Sequence, residues 1–391
     1  MNMRNEEIEN TETQDSSFPF RGSGGAVVGR IIIAGGGTGG HIFPAIAIAN
    51  AIKKMQPQTE ILFVGAKGKM EMEKVPQAGY KIEGLDIAGF NRSSLIKNIG
   101  LPFKLGKSFL QVKKIFAAFK PNAAIGVGGY SSFPVLRYAQ GKGIATFIHE
   151  ANSFAGKSNR MLGKKATKIF TATDGMEIFF PADKIIISGN PVRSAIAHSA
   201  VSRDEGIKFF GLDVAKKTIL AVGGSLGAKS INEAIAKNID VFANNNLQLI
   251  WQTGKPYAEQ AKIIAKGKDN VWVSDFINQM ENAYAAADVV ISRAGAMAIA
   301  ELCVVQKPVL FVPFPFAAED HQTVNAMNLV NKNAGLMIKD SEANEKLVDA
   351  VVALTKNENK QSELKRNIKE LAIVNADVKV ASDVLKLMQT P

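Results

Sequence analysis

The chain is poor in the residues that tie small folds together or hold metals. One cysteine, Cys303, and four histidines among 391 residues leave no disulfide framework and no Cys/His zinc cluster. No apolar run approaches the roughly 18–20 uninterrupted residues of a membrane-spanning helix. The opening MNMRNEEIENTETQDSS has neither the basic start nor the apolar run of a secretory leader, so a reducing cytoplasm is the expected compartment. There is no P-loop lysine pattern and no Asp-x-Asp pair. A bound diphosphate would therefore have to be held by backbone N–H groups and helix ends, and neither a metal nor a cofactor is expected.

What is present belongs to a soluble globular chain: 46% hydrophobic and 21% charged residues, with a length that suits two domains of about 150–200 residues. The net charge of +11 is unevenly placed. Residues 30–190 carry 22 basic and 9 acidic side chains, residues 191–391 carry 23 and 22, and residues 1–29 carry 2 and 5. Only the first half should meet a polyanion. Residues 91–120 hold seven Lys/Arg and no acid, with Leu95, Ile96, Ile99, Leu101 and Phe103 among them. No nucleic-acid module accompanies them, so nucleic acid is not an expected partner. An anionic membrane surface suits the segment better, with Lys97, Phe103, Lys104 and Lys107 as the expected contacts. The stripe Leu105, Phe109, Val112, Phe116 and Phe119 follows helical spacing and is expected to dock that helix on the first sheet.

Two halves are built alike. The β-branched run RIIIA (30–34) leads through Gly35-Gly36-Gly37-Thr38-Gly39-Gly40 into a helical pattern, and TILAV (218–222) leads through Gly223-Gly224-Ser225-Leu226-Gly227-Ala228 into another. Continuous apolar runs alternating with helical patterns mean parallel sheets covered on both faces. The expected class is α/β, with two Rossmann-like doubly wound parallel-sheet domains facing each other across a cleft. Residues 1–29 are expected to be a disordered tail, 30–190 the first domain and 191–370 the second. Residues 371–391 should form a helix packing back on the first domain.

The first glycine loop fits G-x-G-x-x-G, yet the second strand ends Phe63-Val64-Gly65-Ala66-Lys67 with no acid to hold a dinucleotide ribose. This disfavours nicotinamide and flavin chemistry. In the second half, Ala296-Met297-Ala298-Ile299-Ala300-Glu301 opens a helix with small residues. Glu301 lies two turns in, where a carboxylate can accept from both ribose hydroxyls.

The ordered motifs GGGTGGHIFP (35–44), GVGGYSSFP (126–134), HEANSFAGKSNR (149–160), GNPVR (189–193), GGSLGAKSIN (223–232), SRAGAMAIAE (292–301) and PFPFAAEDHQTVNA (313–326) together resemble the MurG family of glycosyltransferase family 28. The resemblance spans about residues 30–385. It implies a GT-B enzyme that moves GlcNAc from UDP-GlcNAc to the C4 hydroxyl of MurNAc in undecaprenyl-diphospho-MurNAc-pentapeptide (lipid I), giving lipid II for the cell wall. It also implies a peripheral position on the cytoplasmic face of the inner membrane, near other cell-wall synthesis and division proteins.

By the same resemblance, Ser225 meets phosphate and Ile277 meets uracil through its backbone. Ala296, Met297, Ala298, Ile299, Ala300 and Glu301 wrap the diphosphate and ribose, and Gln322 binds the sugar. Thr38, Gly39, Gly40, Asn152 and Arg193 complete the pocket. The chain has Ala151, Leu226 and His321 where glutamine is frequent in the family. His41 is the first candidate for the base that takes the acceptor proton; His149 and Glu150, at a strand end, are less favoured. A related glycolipid glycosyltransferase and a non-catalytic nucleotide-sugar-binding protein are the competing alternatives.

Overall fold

The computed structural model describes residues 29–88, 100–224 and 226–389. Ser225, Lys97 and the tail before Gly29 lie outside the described residues.

Two all-parallel sheets form the frame. The first comprises β1 (Arg30–Ala34), β2 (Glu60–Ala66), β3 (Lys81–Leu85), β4 (Ala123–Gly126), β5 (Ala145–Glu150), β6 (Lys168–Thr171) and β7 (Ile185–Ile187), in the order β3-β2-β1-β4-β5-β6-β7. The second comprises β8 (Lys217–Val222), β9 (Leu247–Gln252), β10 (Val271–Ser274), β11 (Val289–Ser292), β12 (Val309–Phe311) and β13 (Leu336–Met337), in the order β10-β9-β8-β11-β12-β13. Both reverse direction of winding beside their first strand, between β1 and β4 and between β8 and β11. Each glycine loop therefore leaves its sheet at a switch point, where a crevice opens outside the strand ends.

Strand alternation divides each core in two. Ile31 and Ile33 pack with Ile48, Ile52 and Phe147 on one face of the first sheet, while Ile32 packs with Val64, Leu136 and Ile148 on the other. In the second sheet Ile219, Trp251 and Ile291 face one way, and Leu220, Ile250 and Val290 the other. Trp251 is wholly buried with its indole N–H on Asn232 Oδ1 at 2.9 Å. Trp272 packs edge-on against Phe210. Both are packing residues.

The helix Leu101–Phe119 docks through Val112 and Phe116, flanked by the half-buried Ile115 and Phe119; Leu105 and Phe109 are only half-buried. The last helix, Ala376–Gln389, inserts Val380, Ala381, Val384 and Leu385 into the core of the first sheet. Burial of each of the Val and Leu side chains is worth about 1.5–3 kcal/mol. The chain thus crosses between the sheets twice, and the crossings touch. Gly189 has φ +76°, and a Cβ there would lie 2.7 Å from Ile373, so only glycine lets the two segments meet.

Candidate active site

On the first-domain side, β1 ends in the glycine loop and the helix Gly39–Met55 begins. Glu71, buried at the start of the helix Glu71–Gln77, accepts from the backbone N–H of Gly37 (2.8 Å) and of Ala66 (2.9 Å). It folds the loop back over the end of β2. His41 stands in the first helical turn above it. Its Nδ1 lies 3.1 Å from Gly36 O and 3.3 Å from Thr38 Oγ1. A carbonyl only accepts, so Nδ1 carries the proton and Nε2 presents a lone pair.

Burial lowers the His41 pKa below its ordinary 6.5; Glu150 and the Gly36 bond oppose this, and His321 adds to it. His321 opens the helix His321–Val330 of the second domain. Gly128, at φ +96°, borders the Nε2 edge of the imidazole: a Cβ there would sit 2.7 Å from Nε2 and from Cδ2.

Glu150 has a different task from a base. Its two oxygens accept from Asn152 N (3.2 Å) and Nδ2 (3.3 Å), Gly156 N (3.3 Å) and Asn159 Nδ2 (2.8 Å), which knits the loop after β5. His149, wholly buried, donates from Nε2 to Gly189 O at 3.2 Å, bracing the first crossing. Asn152 is then met from the other domain: Asn325 Nδ2 donates to Asn152 Oδ1 (3.3 Å) and Ser153 N donates to Asn325 Oδ1 (2.8 Å).

On the second-domain side, the helix Ala296–Val305 starts at Gly295 with no capping side chain. The N–H groups of Ala296, Met297 and Ala298 have no intrahelical acceptor and meet an anion with the positive end of the helix. Glu301 is buried, and its Oε1 accepts from Arg193 Nε (3.2 Å) and Nη2 (3.1 Å), while its Oε2 accepts from Tyr284 Oη (3.0 Å). Burial raises the Glu301 pKa, and Arg193 and Tyr284 oppose it. Both oxygens face donors, so the ionised form is the one the geometry suits. Gln322 Oε1 accepts from Phe314 N at 3.0 Å.

Two of the expected contacts rest on backbone groups. The side chains of Ala296, Ile299 and Ala300 line a cavity of about 220 Å³ at the crossings, together with Ala151, Asn190 and Cys303. The 3.6-residue period puts them on the arc away from Met297 and Glu301, so Ile299 and Ala300 offer a donor no side chain. The N–H of Ile277 is taken by Gln252 Oε1 at 3.3 Å, and Gln252 Nε2 holds Gly224 O at 3.0 Å; of that peptide the carbonyl is left for a base.

Glu71, Gln252 and Tyr284 are the neighbours of the candidate site that sequence patterns missed. Each sits at a helical or strand position where a core or surface role reads equally well.

Phe103, 88% exposed, Leu110, Lys107 and Lys114 share the outward face of the helix Leu101–Phe119. Lys104 is exposed at its start. Lys107 and Lys67 both pair with Asp86 at 3.0 Å. Among the described residues, no helix is long and apolar enough to cross a membrane.

Residues 31–171 match the glycosyltransferase family 28 N-terminal domain, and residues 218–380 its C-terminal domain. Curated relatives carry the name UDP-N-acetylglucosamine–N-acetylmuramyl-(pentapeptide) pyrophosphoryl-undecaprenol N-acetylglucosamine transferase. One from Phocaeicola vulgatus is 54% identical over 92% of this chain and 96% of its own. One from Flavobacterium psychrophilum is 49% identical over 92% and 98%. The crystal structure of Acinetobacter baumannii MurG superposes with a TM-score of 0.76 at 28% identity, over 92% of this chain and 99% of that one. A UDP-N-acetylglucosamine 2-epimerase, 15% identical with a TM-score of 0.64, shares the fold. With two matching domains, two switch-point crevices and relatives at about half identity, the chain belongs to glycosyltransferase family 28, among the N-acetylglucosamine transferases of the MurG type.

Proposed function

We propose that this glycosyltransferase transfers GlcNAc from UDP-GlcNAc to the C4 hydroxyl of MurNAc in undecaprenyl-diphospho-MurNAc-pentapeptide, with inversion at the anomeric carbon. The observation that carries it is the pairing of two switch-point crevices: His41 on the first glycine loop, whose Nδ1 bond to Gly36 O leaves Nε2 a basic lone pair, and the uncapped helix start Ala296–Ala298 with the buried Glu301 on the second. The acceptor O4 attacks C1 of GlcNAc, its proton passes to His41 Nε2, and the bond from C1 to the diphosphate oxygen breaks to release UDP. The N–H groups of Ala296, Met297 and Ala298 take the charge that develops on the diphosphate. Glu301 accepts from the ribose, the Ile277 carbonyl from uracil N3–H, and Gln322 binds the sugar. Asn152 and Arg193 close the pocket from the first domain and the crossing, with Thr38, Gly39 and Gly40 beneath the acceptor.

A polyprenyl acceptor stays in its bilayer, so the enzyme must come to the surface. The outward face of Leu101–Phe119, apolar at Phe103 and Leu110 and basic at Lys104, Lys107 and Lys114, suits the cytoplasmic leaflet. The test is turnover of UDP-GlcNAc with lipid I in the presence of EDTA. β-Linked lipid II is the expected product; loss of turnover with chelator, or equal use of UDP-glucose with diacylglycerol, overturns it.

A further inference from the structure

Glu71 is 1% exposed, and each of its oxygens accepts from a backbone N–H: Oε1 from Ala66 (2.9 Å) and Oε2 from Gly37 (2.8 Å). Two glycines make room for it. A Cβ on Gly36 would lie 2.2 Å from its Cδ, and one on Gly65 would lie 2.5 Å from its Cγ. The peptide that joins Gly36 to Gly37 is trans, so its N–H and its C=O point in opposite directions. The N–H meets Glu71, and the C=O meets His41 Nδ1 at 3.1 Å. One planar unit therefore stands between the buried acid and the imidazole. Flanked by glycines, that unit could turn either way. A carboxylate only accepts, so it dictates which way the unit faces, and with it which ring nitrogen carries the proton.

We propose that Glu71 is a positioning residue for the transfer step: by holding the Gly36–Gly37 peptide with its carbonyl toward His41, it locks the Nδ1–H tautomer and leaves Nε2 as the lone pair. Glu71 acts through that peptide and touches no reacting atom. In Glu71→Gln the amide oxygen keeps the Ala66 N–H, which is fixed in β2. The amide nitrogen then faces the Gly37 N–H, donor against donor. Rotation of the glycine peptide relieves the conflict: Gly36 O turns to the introduced amide, Gly37 N–H turns to His41 Nδ1, and the ring proton passes to Nε2. The base is then blocked. This rests on the reading of His41 as the base, and the experiment separates the two.

The ring nitrogen resonances of His41, assigned by their loss in His41→Ala, report the tautomer directly. They are recorded by NMR on the full-length enzyme and on Glu71→Gln, beside profiles of kcat against pH normalised to the protein that binds UDP. The wild type should show Nδ1–H and Glu71→Gln should show Nε2–H, with kcat down about 10–100-fold and UDP affinity unchanged. The titratable groups facing His41 are Glu71, His149 and Glu150 on β5, and His321 at the start of the helix His321–Val330. The Glu71 charge and the Gly36 carbonyl both favour the imidazolium, so their loss should move the acid limb of the profile to lower pH. A Glu71 that only packs would change the amount of folded enzyme and leave tautomer and limb in place, which overturns the proposal. An Nε2–H tautomer in the wild type overturns it as well. A switched tautomer with kcat retained keeps the lock and removes His41 as the base. If Glu71→Gln fails to bind UDP, Glu71→Asp takes its place: this acceptor-only side chain should keep both Nδ1–H and the limb, and loss of either overturns the proposal.

Discussion

Acidification offers a quantitative test of how the first domain is braced. His149 is wholly buried on β5, with Nε2–H on Gly189 O and with Nδ1 unpartnered among the described residues. Burial, opposed by the Gly189 bond and helped by His41, lowers its pKa from 6.5 to about 4. Above pH 6.5 the ring is neutral in both folded and unfolded chains, and its stabilising contribution is whole. Between pH 6.5 and 4 the unfolded chain takes up the proton that the folded chain refuses, so stability falls as pH drops. Below about pH 4 both forms are protonated and the loss levels off. A displacement of this size corresponds to about 3 kcal/mol, or ~6–12 °C in Tm for a domain of about 150–250 residues. Calorimetric melting from pH 7.5 to 4, on wild type and His149→Gln, isolates the term: the variant starts less stable, and the gap closes by about 3 kcal/mol across that window. Parallel curves would show that His149 is not held neutral by burial, and that the brace on the first crossing is of another kind.

His41→Ala should lower kcat by about 10²–10⁴-fold with little change in UDP affinity. The wild-type pH–rate profile should lose activity only below pH 6.5, since burial lowers the pKa of the base, and the variant should lack that limb; an unchanged limb assigns the proton elsewhere. Glu301→Ala should raise the UDP-GlcNAc KM about 10-fold or more and leave the acceptor KM alone, and equal changes in both would remove the ribose contact. Binding to vesicles containing phosphatidylglycerol should weaken about tenfold or more when Lys104 and Lys107 are both changed to Glu. Lys104→Glu should carry the greater share, because Asp86 already offsets part of the Lys107 charge; flotation assays that show no loss refute this face.

The doubling of the fold was legible because each half opens with a β-branched run, a glycine loop and an apolar-periodic helix, signals that are local in sequence. Glu301 and His41 could be placed for the same reason, each lying a fixed step beyond a strand end. What surrounds them was not legible. Glu71 is 34 residues from Gly37 and sits in a lysine- and glutamate-rich stretch that reads as a solvated helix. Tyr284, in NAYAAAD, reads as ordinary core, and Arg193 reaches Glu301 over 108 positions. The continuous motif Ala296–Glu301 reads as one donor-binding run. A helix shows opposite arcs to opposite neighbours, and the motif alone does not say which arc is which.

The way the domains meet also bears on how the cleft can work. Their contact beside the active site runs through Asn325 to Asn152 and Ser153, Asn328 to Ser153, and Lys332 to Asp174 at 2.9 Å. The last pair is exposed and contributes about 0–1 kcal/mol, and the amide bonds contribute about 1 kcal/mol each. A contact of this strength forms and breaks readily, so the domains can part about the crossings at Gly189 and Ile373 without unfolding either sheet. Asn325 couples that motion to chemistry: it lies one helical turn from Gln322, on the donor side, and holds Asn152, on the acceptor side. In the reaction proposed above, parting of the domains would withdraw Asn152 from the donor and His41 from the anomeric carbon together, opening a path for UDP to leave after transfer.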